Sequence, residues 1–91
     1  MRRALIVQTD QGNTHPNYTN TIVVAISTAP ARTVAHVKIQ PSVENGLRQT
    51  STVKCEQIIT ISKSRLQKRI GQLDAQDMAL VDYALRLTLT L

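Results

Sequence analysis

An alternation of hydrophobic and polar positions runs through residues 52–61 and predicts a long strand there. The apolar side chains that share one face of this predicted strand are Val53, Cys55, Ile59 and Ile61. Because successive side chains of a strand point to opposite faces, we expect these four to be buried together, with Cys55 in the core.

Shorter apolar stretches earlier in the chain predict three more strands. Residues 3–8 form a short apolar strand, and residues 21–26 are continuously apolar, which is typical of a central strand buried on both faces. Residues 34–40 alternate, with Ala35, Val37 and Ile39 on one face and His36, Lys38 and Gln40 on a basic outer face. Turn signals predict a loop over 9–20 and a turn over 41–50. We expect the four strands in meander order, as a small α+β domain with a strongly bent antiparallel sheet or a partial barrel.

The stretch after the long strand predicts a short basic helix. In residues 62–70, Leu66 and Ile70 lie one turn apart and cations occupy other positions. Gly71 follows at once, and glycine commonly ends a helix.

A second helix closes the sequence. Asp74 has the position of an N-cap, and Asp77 follows three residues later, near the positive end of the helix dipole. The apolar stripe expected to pack on the sheet consists of Met78, Val81, Leu85 and Leu89, widened by Ala84. Asp82 and Arg86 are expected to face outward.

Length and composition limit the possible classes of protein. Residues 1–91 are enough for one domain with one core, and that core must be aliphatic because the chain contains no Trp or Phe. One cysteine cannot form an internal disulfide, residues 4–7 are too short for a signal peptide, and no stretch could span a bilayer. We therefore expect a cytoplasmic protein without membrane contact. The net charge of +5 suits an RNA or DNA backbone or an acidic protein partner.

Several stretches resemble segments of the PemK/MazF family. They are Arg2 and residues 4–8 with Asp10, Gly12 and Asn13, similar to "RPALVIQND.GN"; residues 22–27, similar to "IVAAIT"; residues 55–58 and 60–66; and residues 70–73 followed by 78–91. Members of this family are toxins of bacterial toxin–antitoxin pairs that cleave messenger RNA. The resemblance implies an SH3-like barrel, partly open here, and an mRNA interferase of a type II system. It further implies a homodimer that cleaves single-stranded RNA without metal or cofactor, through attack by the 2′-hydroxyl, and an antitoxin whose acidic tail inhibits it.

The resemblance also implies a catalytic site. The family has a functional arginine at the head of the first segment and a hydroxyl residue at the end of the second, which correspond to Arg2 and Ser27, with Thr28 as the next candidate. A guanidinium can stabilise a doubly charged phosphorus centre with two parallel hydrogen bonds, and a hydroxyl can orient the phosphate or relay a proton. The cations that we expect to bind RNA are Arg3, Lys38, Lys63 and Arg65.

No metal site is expected, because two separate histidines and scattered carboxylates lack the spacing of metal ligands. We expect both histidines, His15 and His36, to be ordinary surface residues.

The sequence departs from the family pattern in ways that support alternative functions. It lacks the family's first segment of about twenty residues, Arg3 replaces a proline, and Ile59 and Ser62 replace an arginine and an aspartate of the long strand. One alternative is therefore a catalytically impaired toxin-like module that dimerises and binds an antitoxin. A generic nucleic-acid-binding barrel is a further alternative, but aromatic platforms for base stacking are sparse.

Overall fold

Four antiparallel strands and a C-terminal helix make up most of the fold. The computed structural model describes residues 3–8 and 10–91. The elements in chain order are β1 Arg3–Ile6, α1 Asp10–Thr14, β2 Asn20–Ser27, β3 His36–Ile39, β4 Ser51–Ser62, a one-turn 3-10 helix Lys63–Arg65, and α2 Ala75–Leu89. Within the described residues, no helix combines the length and apolar character that crossing a membrane requires.

The strands lie in the order β1-β2-β4-β3, so the predicted meander order is wrong. β4 is 12 residues long and pairs with β2 along most of its length and with β3 near its beginning, which separates β2 from β3. β1 and β3 form the two edges of the sheet, which is not closed into a barrel. The predicted α+β class with an antiparallel, partly open sheet is confirmed.

A bulge in β4 changes which side chains share a face. Ala25 of β2 pairs with Lys54, but the next residue of β2, Val24, pairs with Ile58, so β4 has three extra residues at this point. An odd number of extra residues reverses the alternation beyond the bulge. Val53 and Cys55 therefore face the core, whereas Ile59, which is 49% exposed, lies on the opposite face. The prediction that Ile59 and Ile61 share the face of Cys55 is wrong for this reason.

The core lies between one face of the sheet and α2. Its fully buried side chains include Val24, Ile39, Val53, Cys55 and Val81, and Met78 and Leu85 pack against it half-buried. The predicted stripe of α2 thus holds except at its end, because the Leu89 side chain is 50% exposed in the last turn.

Asp74 caps α2 as predicted. Its side-chain oxygen accepts a hydrogen bond of 2.8 Å from the Asp77 backbone N–H. Asp82 and Arg86 are exposed, as expected for the outward face of the helix.

The opposite face of the sheet, which we call the outer face, is covered at one end by α1. The sequence predicted a loop here, but residues 10–14 form a helical turn because the Asn13 side chain ties it to the sheet. The Asn13 amide donates to the Gln8 carbonyl, and its oxygen accepts a bond of 2.6 Å from the Thr21 hydroxyl. Thr21 and Val23, which share the outer face of β2, are buried at this end. The other end of the outer face has no such cover from α1.

Residues 66–74 form no helix, so the predicted basic helix over 62–70 is wrong beyond its first turn. The Ser62 side chain caps only the 3-10 turn, and the backbone is extended at Leu66. The segment then runs against the 41–50 loop, where the Gln72 N–H donates to the Glu44 carbonyl at 2.8 Å. Gly71 does not end a helix here but permits this close approach of two backbones.

Candidate functional site

A row of polar side chains crosses the end of the outer face that α1 does not cover, with Lys38 exposed, Ser27 half-buried and Thr52 only 3% exposed. Ser27 at the end of β2 pairs with Thr52 of β4, and Thr52 pairs on its other side with Lys38 of β3. Directly paired residues of antiparallel strands point to the same face. With strands about 4.8 Å apart, Ser27 and Lys38 are separated by about 10 Å across the sheet. The structure therefore brings together two of the residues that the sequence singled out.

The Ser27 hydroxyl is held in place by the turn that follows β2. Its oxygen accepts a hydrogen bond of 3.1 Å from the Ala29 N–H, and the Thr52 hydroxyl donates to the Ala29 carbonyl at 2.6 Å. A hydroxyl that accepts from a backbone N–H still carries its own proton, which it can donate to a phosphate oxygen. Thr28 lies in the same turn and is exposed.

A second row on the same face adds charge. Ala25, Lys54 and His36 pair across β2, β4 and β3, two residues or about 7 Å along the strands from the Ser27 row. The His36 Nε2 atom lies 2.9 Å from a Glu56 carboxylate oxygen. Lys38 is exposed and Lys54 is half-buried, so the uncovered end of the outer face is a polar surface with two lysines and one carboxylate. This arrangement can bind an anionic, extended ligand on an open surface.

The other predicted site residues lie elsewhere. Arg3 pairs with Ile26, so it belongs to the face of the sheet that α2 covers, opposite to Ser27. Lys63 and Arg65 follow the far end of β4, about 20 Å from Ser27 because seven strand residues separate the two ends. Arg2 lies outside the described residues.

Lys63 has a structural contact that the sequence did not reveal. Its ammonium group donates to the Gly12 carbonyl at 2.9 Å and to the Asn13 carbonyl at 2.7 Å. These bonds join the turn after β4 to α1. The predicted contact of Lys63 with RNA stays a prediction. Arg65 is exposed, and its contact with RNA also stays a prediction.

Three residues of the polar surface were not predicted from the sequence, and the surroundings of a fourth differ from the expectation. Thr52, Lys54 and Glu56 were not proposed, although Thr52 and Lys54 alternate with Val53 and Cys55 and so had to share the polar face. His36 was expected to be an ordinary surface residue, but its side chain is only 10% exposed and paired with Glu56. The pairing of His36 with Glu56 depends on the bulge in β4, which no local sequence pattern predicted.

Cys55 is buried, as predicted. Burial raises the pKa of its thiol, and the neighbouring Glu56 carboxylate adds to this effect, so the thiol stays protonated and unreactive. Among the described residues, no group of three or more His, Cys, Asp and Glu side chains is placed to hold a metal ion.

Comparison with known proteins places this geometry among toxins. Residues 1–89 match the family model described as "PemK-like, MazF-like toxin of type II toxin-antitoxin system". The chain is 37% identical to Endoribonuclease EndoA of Bacillus subtilis (strain 168), over its full length and 78% of that protein.

Solved structures agree with this match. Mycobacterium tuberculosis toxin MazF-mt6 superposes with a TM-score of 0.86 at 29% identity, covering 99% of this chain and 87% of the toxin. A mycobacterial endoribonuclease, solved in complex with its cognate antitoxin, superposes with a TM-score of 0.87 at 26% identity, covering 99% of this chain and 82% of that chain.

Proposed function

Since the chain belongs to the PemK-like, MazF-like toxin family of type II toxin–antitoxin systems, we propose that it is an endoribonuclease that cleaves single-stranded messenger RNA on the outer face. The observation that carries this proposal is the row in which Ser27, oriented by the Ala29 N–H, lies beside Thr52 and Lys38. An oriented hydroxyl and a nearby cation on an open face suit a phosphodiester of an extended strand.

The proposed reaction uses a nucleophile that the RNA itself supplies. The 2′-oxygen forms a bond to the adjacent phosphorus, and the bond from phosphorus to the 5′-oxygen breaks, leaving a cyclic phosphate and a 5′-hydroxyl. The proton of the 2′-hydroxyl ends on the departing 5′-oxygen, so no metal or co-reactant is consumed. Ser27 donates to a phosphate oxygen or relays this proton, and Thr28 is the alternative hydroxyl. Arg2, the arginine that the family pattern assigns to the site, would stabilise the charge on phosphorus.

Phosphate contacts elsewhere position the strand. Lys38 is exposed beside the Ser27 row and is the best placed of the proposed RNA-binding cations. Arg3, Lys63 and Arg65 would contact flanking phosphates if the RNA continues around the sheet edge and past the end of β4.

The proposal includes a single domain that acts in the cytoplasm as a homodimer and is inhibited by an antitoxin. Exposed apolar side chains on α2 support a protein interface, since Leu80, Tyr83 and Leu87 recur on one side of the helix and are each at least 46% exposed. The net charge of +5 suits an antitoxin with an acidic C-terminal tail.

A catalytically impaired, antitoxin-binding module is the second candidate. It is favoured by the two positions at which the family pattern has an arginine and an aspartate in β4. Here Ile59 offers no charge, and the Ser62 hydroxyl is engaged with Ser64 at the cap of the 3-10 turn.

The two candidates differ in RNA cleavage. We would incubate the purified protein, with EDTA and in parallel with Mg²⁺, with a mixed-sequence RNA and with a matched strand of 2′-deoxy residues, alongside Arg2→Ala and Ser27→Ala variants. Cleavage of the RNA strand alone in both buffers, lost in both variants, is the expected result. Intact RNA in both buffers after incubation with a folded, dimeric sample would refute the enzyme and support the module. Cleavage with Mg²⁺ but not with EDTA would refute the metal-independent mechanism.

A further inference from the structure

Glu56 is the only acidic side chain that the described strands carry on or beside the polar surface, and its position is fixed. It lies in the bulge of β4, between Cys55, whose side chain is fully buried, and Gln57. The Cys55 N–H donates to the Ala35 carbonyl at 2.9 Å, which fastens the bulge to the residue before β3. Bulges frequently redirect a side chain beside a functional site.

His36 holds the Glu56 carboxylate in a defined orientation. The Nδ1 atom of His36 accepts a hydrogen bond of 3.0 Å from the Arg32 N–H, so the ring proton is on Nε2. Nε2 then donates to Glu56, at 3.0 Å from one carboxylate oxygen and 2.9 Å from the other. One donor satisfies only part of the capacity of a carboxylate, which has about four lone-pair positions. With 38% of its side chain exposed, Glu56 can accept further hydrogen bonds from a ligand.

An anionic group on this surface has a restricted set of RNA partners. Phosphate oxygens would be repelled, so a bound strand must present hydrogen-bond donors to Glu56, and its bases are the natural source. Guanine carries two adjacent donors, N1–H and the N2 amino group, which match the two oxygens of a carboxylate. Adenine and cytosine offer one amino group each, whereas acceptor oxygens flank the single N3–H of uracil.

We propose that Glu56, positioned by His36, recognises the Watson–Crick edge of a guanine in the RNA near the cleaved phosphate. This inference rests on the proposed function for the location of the RNA. The row that contains His36, the partner of Glu56, lies about 7 Å along the β-strands from the Ser27 row. This is close to the distance between neighbouring nucleotides of an extended RNA. Glu56 is therefore a specificity residue, and His36 is a positioning residue.

The test compares the binding of oligonucleotides that differ in a single base. Non-cleavable 2′-deoxy oligonucleotides with guanine, inosine or uracil at each position in turn would be titrated by fluorescence anisotropy against wild type and Glu56→Gln. Glu44→Gln removes an equal charge from the 41–50 loop and is the matched control. We expect guanine at one position to bind about 10- to 100-fold more tightly than uracil, with inosine intermediate because it lacks the N2 amino group. Glu56→Gln should reduce this preference, and Glu44→Gln should leave it unchanged.

The possible results test the role of Glu56 independently of the proposed endoribonuclease activity. Equal affinity for guanine and inosine at every position, or a guanine preference unchanged in Glu56→Gln, overturns the role of Glu56 even if the protein cleaves RNA. A guanine preference that depends on Glu56 in a protein without cleavage activity supports the role of Glu56 and refutes the enzyme. The guanine–inosine comparison in wild type tests the inference even if the variant fails to fold.

Discussion

Substitution of Gly71 by alanine should destabilise the fold, although this residue lies in an exposed segment with no regular structure. A Cβ atom at position 71 would lie 2.3 Å from the Glu44 carbonyl oxygen and 2.4 Å from the Asn45 carbonyl carbon. Both are backbone atoms, so no side-chain rotation relieves the contact. Gly46 on the facing loop has φ of +69°, and a Cβ atom there would overlap the Ile70 carbonyl. The two backbones are therefore in close contact at both glycines, and neither can move away without disturbing the other.

The magnitude follows from what must move. Separating the two backbones breaks the 2.8 Å bond from the Gln72 N–H to the Glu44 carbonyl and displaces the buried Leu73. The lost bond costs about 1 kcal/mol and the overpacking about 1–3 kcal/mol, while the reduced freedom of the unfolded chain returns about 0.4–1 kcal/mol. We expect Gly71→Ala to lower the free energy of unfolding by about 2 kcal/mol, or by about 1–2 M in the urea midpoint.

The assay is urea unfolding followed by circular dichroism, at one protomer concentration because dimerisation would shift the midpoint. Gly12→Ala is the matched control, since its Cβ would meet only side-chain atoms of Gln8, with Nε2 nearest at 2.7 Å, and no backbone atom. Gln8 can rotate away at the cost of its two long hydrogen bonds, to the Asn13 side chain at 3.2 Å and to the Asn20 carbonyl at 3.4 Å. Alanine favours the α1 helix by about as much as those bonds contribute, so we expect the control to remain within about 0.5 kcal/mol of wild type. A midpoint for Gly71→Ala equal to that of the control would show that the two loops do not pack as closely as described.

Three further predictions concern the helix cap, pH and the lysines. Asp74→Ala should lower the free energy of unfolding by about 1 kcal/mol, measured by urea unfolding, since it removes the bond to the Asp77 N–H; an unchanged midpoint would contradict the cap. Burial raises the pKa of the Asp77 carboxyl, and repulsion from Asp74 adds to this, so the folded chain holds this proton more tightly than the unfolded chain. The Asp77 contribution to stability therefore increases as pH falls through the folded pKa toward the unfolded value of about 3.9, and Asp77→Asn should lack this part of the pH dependence of the urea midpoint; an identical pH profile for the variant and wild type would contradict the shift. Lys38→Ala should weaken RNA binding and reduce the slope of log affinity against log salt by about 1, whereas Lys63→Ala should in addition lower the thermal midpoint because its ammonium binds two carbonyls; an unchanged midpoint for Lys63→Ala would contradict those two bonds.

Local sequence patterns correctly predicted the elements that are determined by residues close together in the sequence. The continuous apolar run of β2 predicted a central strand, and Val23 and Val24 are buried on opposite faces. The aspartate at position 74 predicted the start of α2 to the residue, because an N-cap depends on atoms three residues apart.

The errors arose where distant parts of the chain meet. Which strand pairs with β4 is decided by contacts across the whole sheet, so the sequence order of strands did not predict their spatial order. The bulge at Cys55 is fastened by the Ala35 carbonyl, twenty residues earlier, and it reversed the faces assigned to Ile59 and Ile61. Residues 66–74 form no helix, and the 41–50 loop contacts them through the bond from the Gln72 N–H to the Glu44 carbonyl, which the spacing of Leu66 and Ile70 could not reveal.

The central position of β4 also determines when the sheet can form during synthesis. β2 and β3 do not pair with each other, so before β4 is made β2 can pair only with β1 and β3 has no partner strand. The ribosome adds about 5–20 residues per second, so the 35 residues from the end of β2 at Ser27 to the end of β4 at Ser62 take about 2–7 seconds. Until then a nascent chain has only the β1–β2 pair, and the row of Ser27, Thr52 and Lys38 does not exist. Assembly of the proposed site is therefore a late event, completed only after most of the chain has been made.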